Sequence, residues 1–547
     1  MKIFLFVFCL QFFSNSYASD FSWWEKERSI RQEKLNNYLR KNRKEFDAFS
    51  ERPLGNTGIP FVLWSMFREA FPQQWNEQVI REMGCFPSKK YGFDLPEGFA
   101  IGKSSIPLIN KPVLDKIRVN IVNLTCAGCH TARVIGPNGD MIKLIGAPTN
   151  TFNAHKFRDA LYRVANQKNF NPEYLLNQIN TSESKYGKNW PYHSIFQRFQ
   201  SMVDKKVFKE KTELVVSKVK ENITSIEIKR KKFLTRFYGP QAAYLVDEGI
   251  PGGLDAFSTA AFIQMPENFD SLDGSSQEAL MKQFFGLGPP VIDVMSAWNQ
   301  NKRNWAQWDG NIPAKLMRNL GSAIAVIRDP VMVDFHLVEE ASRFVADLPS
   351  PPYPFQVDKN KIKMGEAIFN KTCLECHGGG GKFIPLNMIN TDPNRAKGLT
   401  DTVRKMSIDA LKVSCKDANG NYKDPRCNLP DDQIIISRSA NPGYVAQPLD
   451  GIWARSPYLH NGSVPTLYHL LVPGKRPTTF FRGNLNFDQK LVGYVWDRGI
   501  QSSYVQNTRV PGLSNVGHSD SKVFFDSIDF EKDQEKREAL LEYLKTL

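Results

Sequence analysis

Histidine and cysteine are scarce in these 547 residues, with eight of each. That scarcity makes clustered pairs informative, because a chance Cys-x-x-Cys-His is expected roughly once in several hundred chains of this length. Long apolar runs are missing after Phe13, which excludes a membrane-spanning helix from the rest of the sequence. The lysines are not interleaved with aromatics of the kind that stack on bases, which argues against nucleic acid as a partner. No attached signalling domain is visible, so a sensor is disfavoured.

Against this background, Cys126-Ala127-Gly128-Cys129-His130 and Cys373-Leu374-Glu375-Cys376-His377 stand out. Two thiols separated by two residues can each add across a vinyl group of one haem, and the next histidine then sits beneath the iron. The chain is expected to carry two covalently bound haem c groups, through Cys126, Cys129, Cys373 and Cys376, with His130 and His377 as proximal ligands. A zinc ribbon needs its two knuckles close in sequence, and these lie far apart. A thioredoxin-type pair needs a βαβ setting, and neither copy follows a clear buried strand run.

The chain opens with basic Met1-Lys2, an apolar run from Ile3 to Phe13 and the small-residue site Ser16-Tyr17-Ala18, the pattern of a secretory signal. A periplasmic or secreted address follows, which agrees with attachment of c-type haem outside the cytoplasm. The formal charge of +14 becomes +13 once Lys2 leaves. Such a surface suits an acidic electron-donor protein or an anionic envelope surface. Cys415 and Cys427 lie in a loop rich in Gly, Asn, Asp and Pro, where a local disulfide is available, and Cys85 reads as a buried free thiol.

The expected fold is mainly α with extensive irregular loops and two cytochrome c-like haem domains. Residues 1–18 are the signal, 19–346 an N-terminal haem domain with added helices, 347–358 a Pro-rich linker, and 359–547 a C-terminal cytochrome c domain. The boundary rests on Asp347-Leu348-Pro349-Ser350-Pro351-Pro352-Tyr353-Pro354, which cannot continue a helix. Trp23, Trp24, Ile30, Leu35, Leu39 and Phe46 predict an amphipathic helix across 20–50. Lysine and glutamate dominate 204–232, predicting one or two exposed helices with Lys229-Arg230-Lys231-Lys232 as a solvated face. Helical spacing over Lys361–Thr372 leads into the second motif, and Phe530–Leu547 reads as a last amphipathic helix.

Function turns on the sixth ligand of each iron, because a second strong ligand makes an electron-transfer centre whereas an open position binds dioxygen or peroxide. Near His130 the sequence offers His155, His193 and Met141, none distinguished by its surroundings. The N-terminal haem is therefore the candidate open site.

Asn304-Trp305-Ala306-Gln307-Trp308-Asp309-Gly310-Asn311, followed by Arg318-Asn319, resembles the Trp-Asp-Gly-Arg motif of bacterial dihaem cytochrome c peroxidases and their methylamine-utilisation relatives. The stretch Leu449–Leu467, with Pro457-Tyr458-Leu459-His460-Asn461-Gly462, resembles the Pro-Tyr-x-His-x-Gly motif of the same superfamily. These blocks, with Asn515-Val516-Gly517-His518 and the terminal Tyr543–Leu547, are similar in wording to the rubber-oxygenase branch. The resemblance implies that Trp308 relays electrons between the haems and that His460 lies close to the C-terminal haem. It also implies a second axial ligand for that haem. The peroxidases use a methionine after this motif, but none follows Met406 here, and His518 matches the distal histidine of the rubber-oxygenase branch. The expected pair is His377 with His518, and His469 is the runner-up. The peptide Asp329-Pro330-Val331-Met332 matches the one that carries the peroxidases' distal glutamate and puts Met332 in its place.

The resemblance thus implies a haem-dependent oxidoreductase of peroxidase or oxygenase type, with His130 and Trp308 in catalysis. Its partners are peroxide or dioxygen, with an electron-donor protein or an apolar substrate. The alternative is a plain electron-transfer cytochrome with both haems six-coordinate.

Overall fold

The computed structural model describes residues 23–89, 91–104, 118–186, 195–239, 249–255, 269, 271–284, 288–500 and 503–547. The signal segment and His193 lie outside them. The fold is mainly α-helical, with a three-stranded antiparallel sheet and several two-stranded antiparallel ribbons.

Helix α1 covers residues 23–41 and α2 covers Arg43–Ser50. Trp24, Leu35 and Phe49 are buried, whereas Ile30 is 53% exposed. Helical geometry explains the exception: eleven residues bring Leu35 almost back onto the face of Trp24, and six carry Ile30 about 120° away from it. The buried face packs on a later helix, where Phe344 meets Tyr38, Phe46 and Phe49.

Strands β1 (Ile59–Pro60), β2 (Phe99–Lys103) and β3 (Asn120–Leu124) form the sheet, with β3 in the middle. Strand β3 is largely buried and runs through Thr125 straight into the helical turn Cys126–Cys129. A buried strand does precede the first motif, contrary to the sequence reading. Its sheet is antiparallel, and the strand after the motif, β4 (Thr131–Ile135), turns away to pair with β5 (Met141–Ile145), so no βαβ unit forms.

Helix α3 (Ala154–Ala165) packs on α4 (Ile195–Tyr238), whose 44 residues kink at Lys211. The basic run at its end is only partly a solvated face: Lys232 is exposed as expected, and the side chain of Lys229 lies outside the described residues. Arg230 is buried and pairs with Glu227 at 2.7 Å, and Lys231 reaches Asp159 at 3.1 Å, because α4 turns this side toward α3. These elements enclose an aromatic core built on Trp64, Phe67, Phe71, Trp75, Phe99 and Phe170.

Helices α5 (Lys315–Ile327) and α6 (Phe335–Ala346) lead into the proline-rich stretch. That stretch is extended, and Leu348, Tyr353, Phe355 and Val357 are all buried in the main core. Pro351, Pro352 and Pro354 are buried beside them, so the core surrounds the chain through Phe355, and only from Gln356 on does one residue turn outward. Phe355 stacks on Phe487 at 5.6 Å, and Trp24 donates to its carbonyl at 2.7 Å. The same core draws residues from Trp24 to Leu544.

Helix α7 (Lys359–Thr372) then feeds the turn Leu374–His377. It crosses the last helix, α8 (Gln534–Leu544), at Gly365, where any Cβ would collide with the carbonyl of Ala539. After His377 the chain enters a ribbon of β6 (Lys382–Pro385) and β7 (Gly443–Ala446). Cys415 and Cys427 form a disulfide with Cα atoms 6.1 Å apart, and Cys85 is a buried free thiol that burial pushes up to about 12.

Candidate functional site

At the first motif, Cys126 and Cys129 are unbonded to each other, and burial pushes their thiols up to about 12 and about 11. A reactive dithiol needs the opposite shift, toward the thiolate. His130 turns its Nδ1 toward the carbonyl of Met295 at 3.0 Å, which fixes the ring and leaves Nε2 as the nitrogen for a metal. Burial first, and then Arg318, hold its pKa down at about 4, so the imidazole is neutral as an iron ligand must be. The carbonyls of His130 and Cys129 accept from Gly146 and Thr149, each at 2.9 Å, which anchors the turn to β5 and the loop beyond it.

Among the described residues, no histidine ring lies against that of His130. Met141 begins β5 opposite Ile135, at the far end of the hairpin from the motif, and is 50% exposed. His155 is buried at the start of α3, with its Nε2 3.2 Å from Arg230 Nη2. Asp329 caps the short turn Pro330–Met332, and Met332 packs on the main core while its carbonyl accepts from Asn56 at 2.8 Å.

The second motif has a different far side. His377 turns its Nδ1 to the carbonyl of Gln447 at 2.7 Å. His518 faces it, with ring centroids 6.4 Å apart and ring planes at 55°. Two imidazole nitrogens each about 2 Å from one metal ion, with their half-rings behind them, give a centroid separation of about 6 Å. The residues therefore fit an iron held between the rings. Both rings are kept neutral by burial, His518 at about 3.

The loop that presents His518 is tightly held. Arg476 donates to the carbonyls of Asn515 at 2.6 Å and Gly517 at 2.9 Å, and on its other side to those of His469 at 3.0 Å and Leu470 at 3.1 Å. His518 itself adopts φ +50°, and Gly517 has φ +100° with no room for a Cβ beside Thr391. Phe524 stacks on the His518 ring at 4.8 Å, and Phe525 meets it edge-on at 5.3 Å. The ring of His469 is turned elsewhere, with Nδ1 2.7 Å from Thr466 Oγ1 and its edge against Trp496.

One stretch of chain holds both motifs. Met295 supplies the carbonyl for His130, and nine residues later Asn304 donates to the carbonyls of Gly379 at 3.0 Å and Gly381 at 3.1 Å, just past His377. Between them Trp298 is fully buried and donates to Ile145, beside the first motif. Trp308 is partly buried; its Nε1 donates to the Asp293 carbonyl at 2.8 Å, and its own carbonyl accepts from Val445 at 2.8 Å. Asp293 in turn pairs with buried Arg482, and burial pushes its carboxyl up to about 6 against that pull. His460 lies alongside: its carbonyl accepts from Asp293 at 2.7 Å, and its ring stacks on Tyr444, 3.1 Å from Nε2 to the hydroxyl.

Sequence reasoning missed the groups that orient the motif histidines, since both are main-chain carbonyls with no residue signature. It also passed over Arg476, and it named Arg318 only within the Trp-Asp-Gly-Arg resemblance, with no role. The second carried a signal, a lone cation among Leu316, Met317, Leu320 and Ile324 on the buried face of α5.

Comparison with known proteins agrees with a haem site. Residues 443–481, which contain Tyr444, His460, His469 and Arg476, match a family described as RoxA-like, cytochrome c-like. A cytochrome c-like domain implies haem c, and the match falls on the rubber-oxygenase-like side of the resemblance. Two relatives come from Sinorhizobium fredii. The uncharacterized protein y4iM is 36% identical over 279 residues, which cover 47% of this chain and 64% of that protein. The uncharacterized protein y4iJ is 27% identical over 538 aligned positions, covering 83% of this chain and 82% of the relative. The chain thus spans just under two thirds of the first relative and most of the second, and its similarity to a haem oxidoreductase domain is concentrated around the His460 block.

Proposed function

We propose that this chain is an exported dihaem c-type oxidoreductase of the dihaem peroxidase superfamily, with one haem in 19–346 and one in 359–547. The observation that carries the reading is the unequal far side of the two motifs: His377 is faced by His518, and His130 by no histidine among the described residues. When bound, haem c supplies an iron that exchanges single electrons where both axial positions are filled and binds dioxygen or peroxide where one is open.

The chain's own residues divide that work. Met295 and Gln447 fix the tautomer of the motif histidines, so that each offers Nε2. Arg476 and Phe524 hold His518 against His377, making the C-terminal site the electron-transfer centre. Trp308, whose Nε1 is pinned on Asp293, couples the two sites through the stretch that touches both motifs. Met332 in place of an acid leaves the peroxidases' proton-transfer position without a titratable group, which favours dioxygen and an apolar substrate over peroxide. The periplasmic or secreted address follows from the signal-like first eighteen residues.

Low-temperature EPR of the oxidised holo-protein tests the reading. One high-spin and one low-spin haem signal are expected. Two low-spin signals in the oxidised protein, with only low-spin and no high-spin ferric signal left after addition of one electron, would overturn it in favour of a plain electron carrier.

A further inference from the structure

Among the described residues six arginines are deeply buried: Arg133, Arg230, Arg303, Arg318, Arg395 and Arg482. Four have a carboxylate within ion-pairing distance, namely Glu97, Glu227, Asp309 and Asp293. Arg303 and Arg318, each 5% exposed, have none among the described residues. Neutral carbonyls satisfy part of their hydrogen bonding. Arg303 donates to Ser296 O at 2.9 Å, Ser296 Oγ at 3.0 Å and Trp298 O at 2.8 Å; Arg318 donates only to Ala306 O, at 3.3 Å, and its buried Nε has no partner.

A third arginine completes the group. Partly buried Arg455 donates to the carbonyls of Pro448 and Asp450, lies 5.8 Å over the Trp298 ring, and also has an enclosed Nε with no partner. After burial, Arg303 is the largest influence on both Arg318 and Arg455, and it repels each of them. Asp450 is the carboxylate that attracts both Arg303 and Arg455, but it forms an ion pair with neither and is shared with Asn299 at 2.8 Å and Lys302 at 3.5 Å, so one negative charge faces several cations. Carbonyl dipoles solvate a guanidinium but do not cancel its charge, and buried charge without a counter-charge is not sustained in a folded interior.

The position of the group says where the missing anions lie. Arg318 and Arg303 are the charges that act on His130, and Arg455 is the one that acts on His377. We propose that Arg303, Arg318 and Arg455 form one buried carboxylate-binding centre shared by the two motif sites, filled by propionate carboxylates of both haems. Arg318 serves the N-terminal haem, Arg455 the C-terminal haem, and Arg303, between them, both. The planar guanidinium fork is the donor that matches a carboxylate in two-point contact. The inference rests on the two-haem reading, and it adds that the redox properties of the two sites are tied electrostatically through these side chains.

The test is a spectroelectrochemical titration of the holo-protein and of Arg318→Gln, Arg455→Gln and their lysine counterparts, with covalent haem counted in each. Removing a fixed positive charge favours the ferric state. Arg318→Gln should therefore lower the potential of the N-terminal haem by at least a tenfold change in its reduction equilibrium, about 59 mV, with a smaller change at the other haem. Arg455→Gln should do the reverse, and each lysine variant should recover most of the shift. Arg455, being partly exposed, keeps the test open if Arg318→Gln fails to fold. Unchanged potentials in folded variants with two haems would overturn the centre, whereas fewer than two haems in the parent protein would overturn the two-haem reading instead. Titration of the parent protein with acetate separates sources: potentials insensitive to acetate are expected for propionates, and a saturable dependence would overturn that assignment in favour of a free carboxylate ligand.

Discussion

Cys126–His130 hangs from the middle strand of a small sheet, whereas Cys373–His377 closes a fourteen-residue helix locked across the last helix of the chain. Their near sides are nonetheless alike: each motif histidine gives Nδ1 to a backbone carbonyl and keeps Nε2 free. Their far sides differ, with a histidine held by an arginine clamp at the second motif and no facing histidine at the first among the described residues. On the proposed reading, the five-residue motif decides where a haem is attached, and the opposite wall, drawn from distant chain, decides what that haem does.

The comparison can be broken most severely at the attachment points. Replacing Cys126 and Cys129 together by alanine should lower covalent haem from two per chain to one, and so should replacing Cys373 and Cys376. A pyridine haemochromogen assay on denatured protein reads the count. Loss of both haems from either double variant would mean that the two sites do not load independently.

A smaller change sharpens the difference between the far sides. His518→Ala should convert the low-spin signal of the C-terminal haem to high-spin in EPR, making the second site resemble the first, while His469→Ala should leave it low-spin. The reverse pattern would make His469 the ligand. Smaller still is Gly517→Ala. Its φ of +100° and its contact with Thr391 forbid a Cβ without a shift of the loop, so a loss of about 1–3 kcal/mol is expected in thermal or denaturant unfolding, with a partial rise of the high-spin signal. Wild-type stability and spectrum would show that the loop carries no constraint on His518.

Much of this was legible in the sequence because it is local. The two motifs, the helix that feeds the second, and the extended character of 347–358 follow from spacing and from proline. What was not legible is long-range. About 140 residues separate His377 from His518, and no periodicity connects them; the match to a known motif and the lack of methionine after Met406 were the only guides. The proline-rich stretch read as a linker because proline dominates its composition; composition could not show that its Tyr353, Phe355 and Val357 are buried in the main core. Arg230 read as solvated for a similar reason: a run of like charges says nothing of which member a neighbouring helix will bury against Glu227.

The groups that orient His130 and His377 are the carbonyls of residues 295 and 447. A carbonyl belongs to every amino acid, so no single substitution at either position deletes the acceptor. Such a lineage can change the Met295 and Gln447 side chains, and with them the local packing, while inheriting the same imidazole tautomer at both sites. On the proposed reading, mutational drift is thereby steered away from ligand orientation and toward the opposite wall, where one codon change would remove a side-chain ligand and turn an electron carrier into an open site.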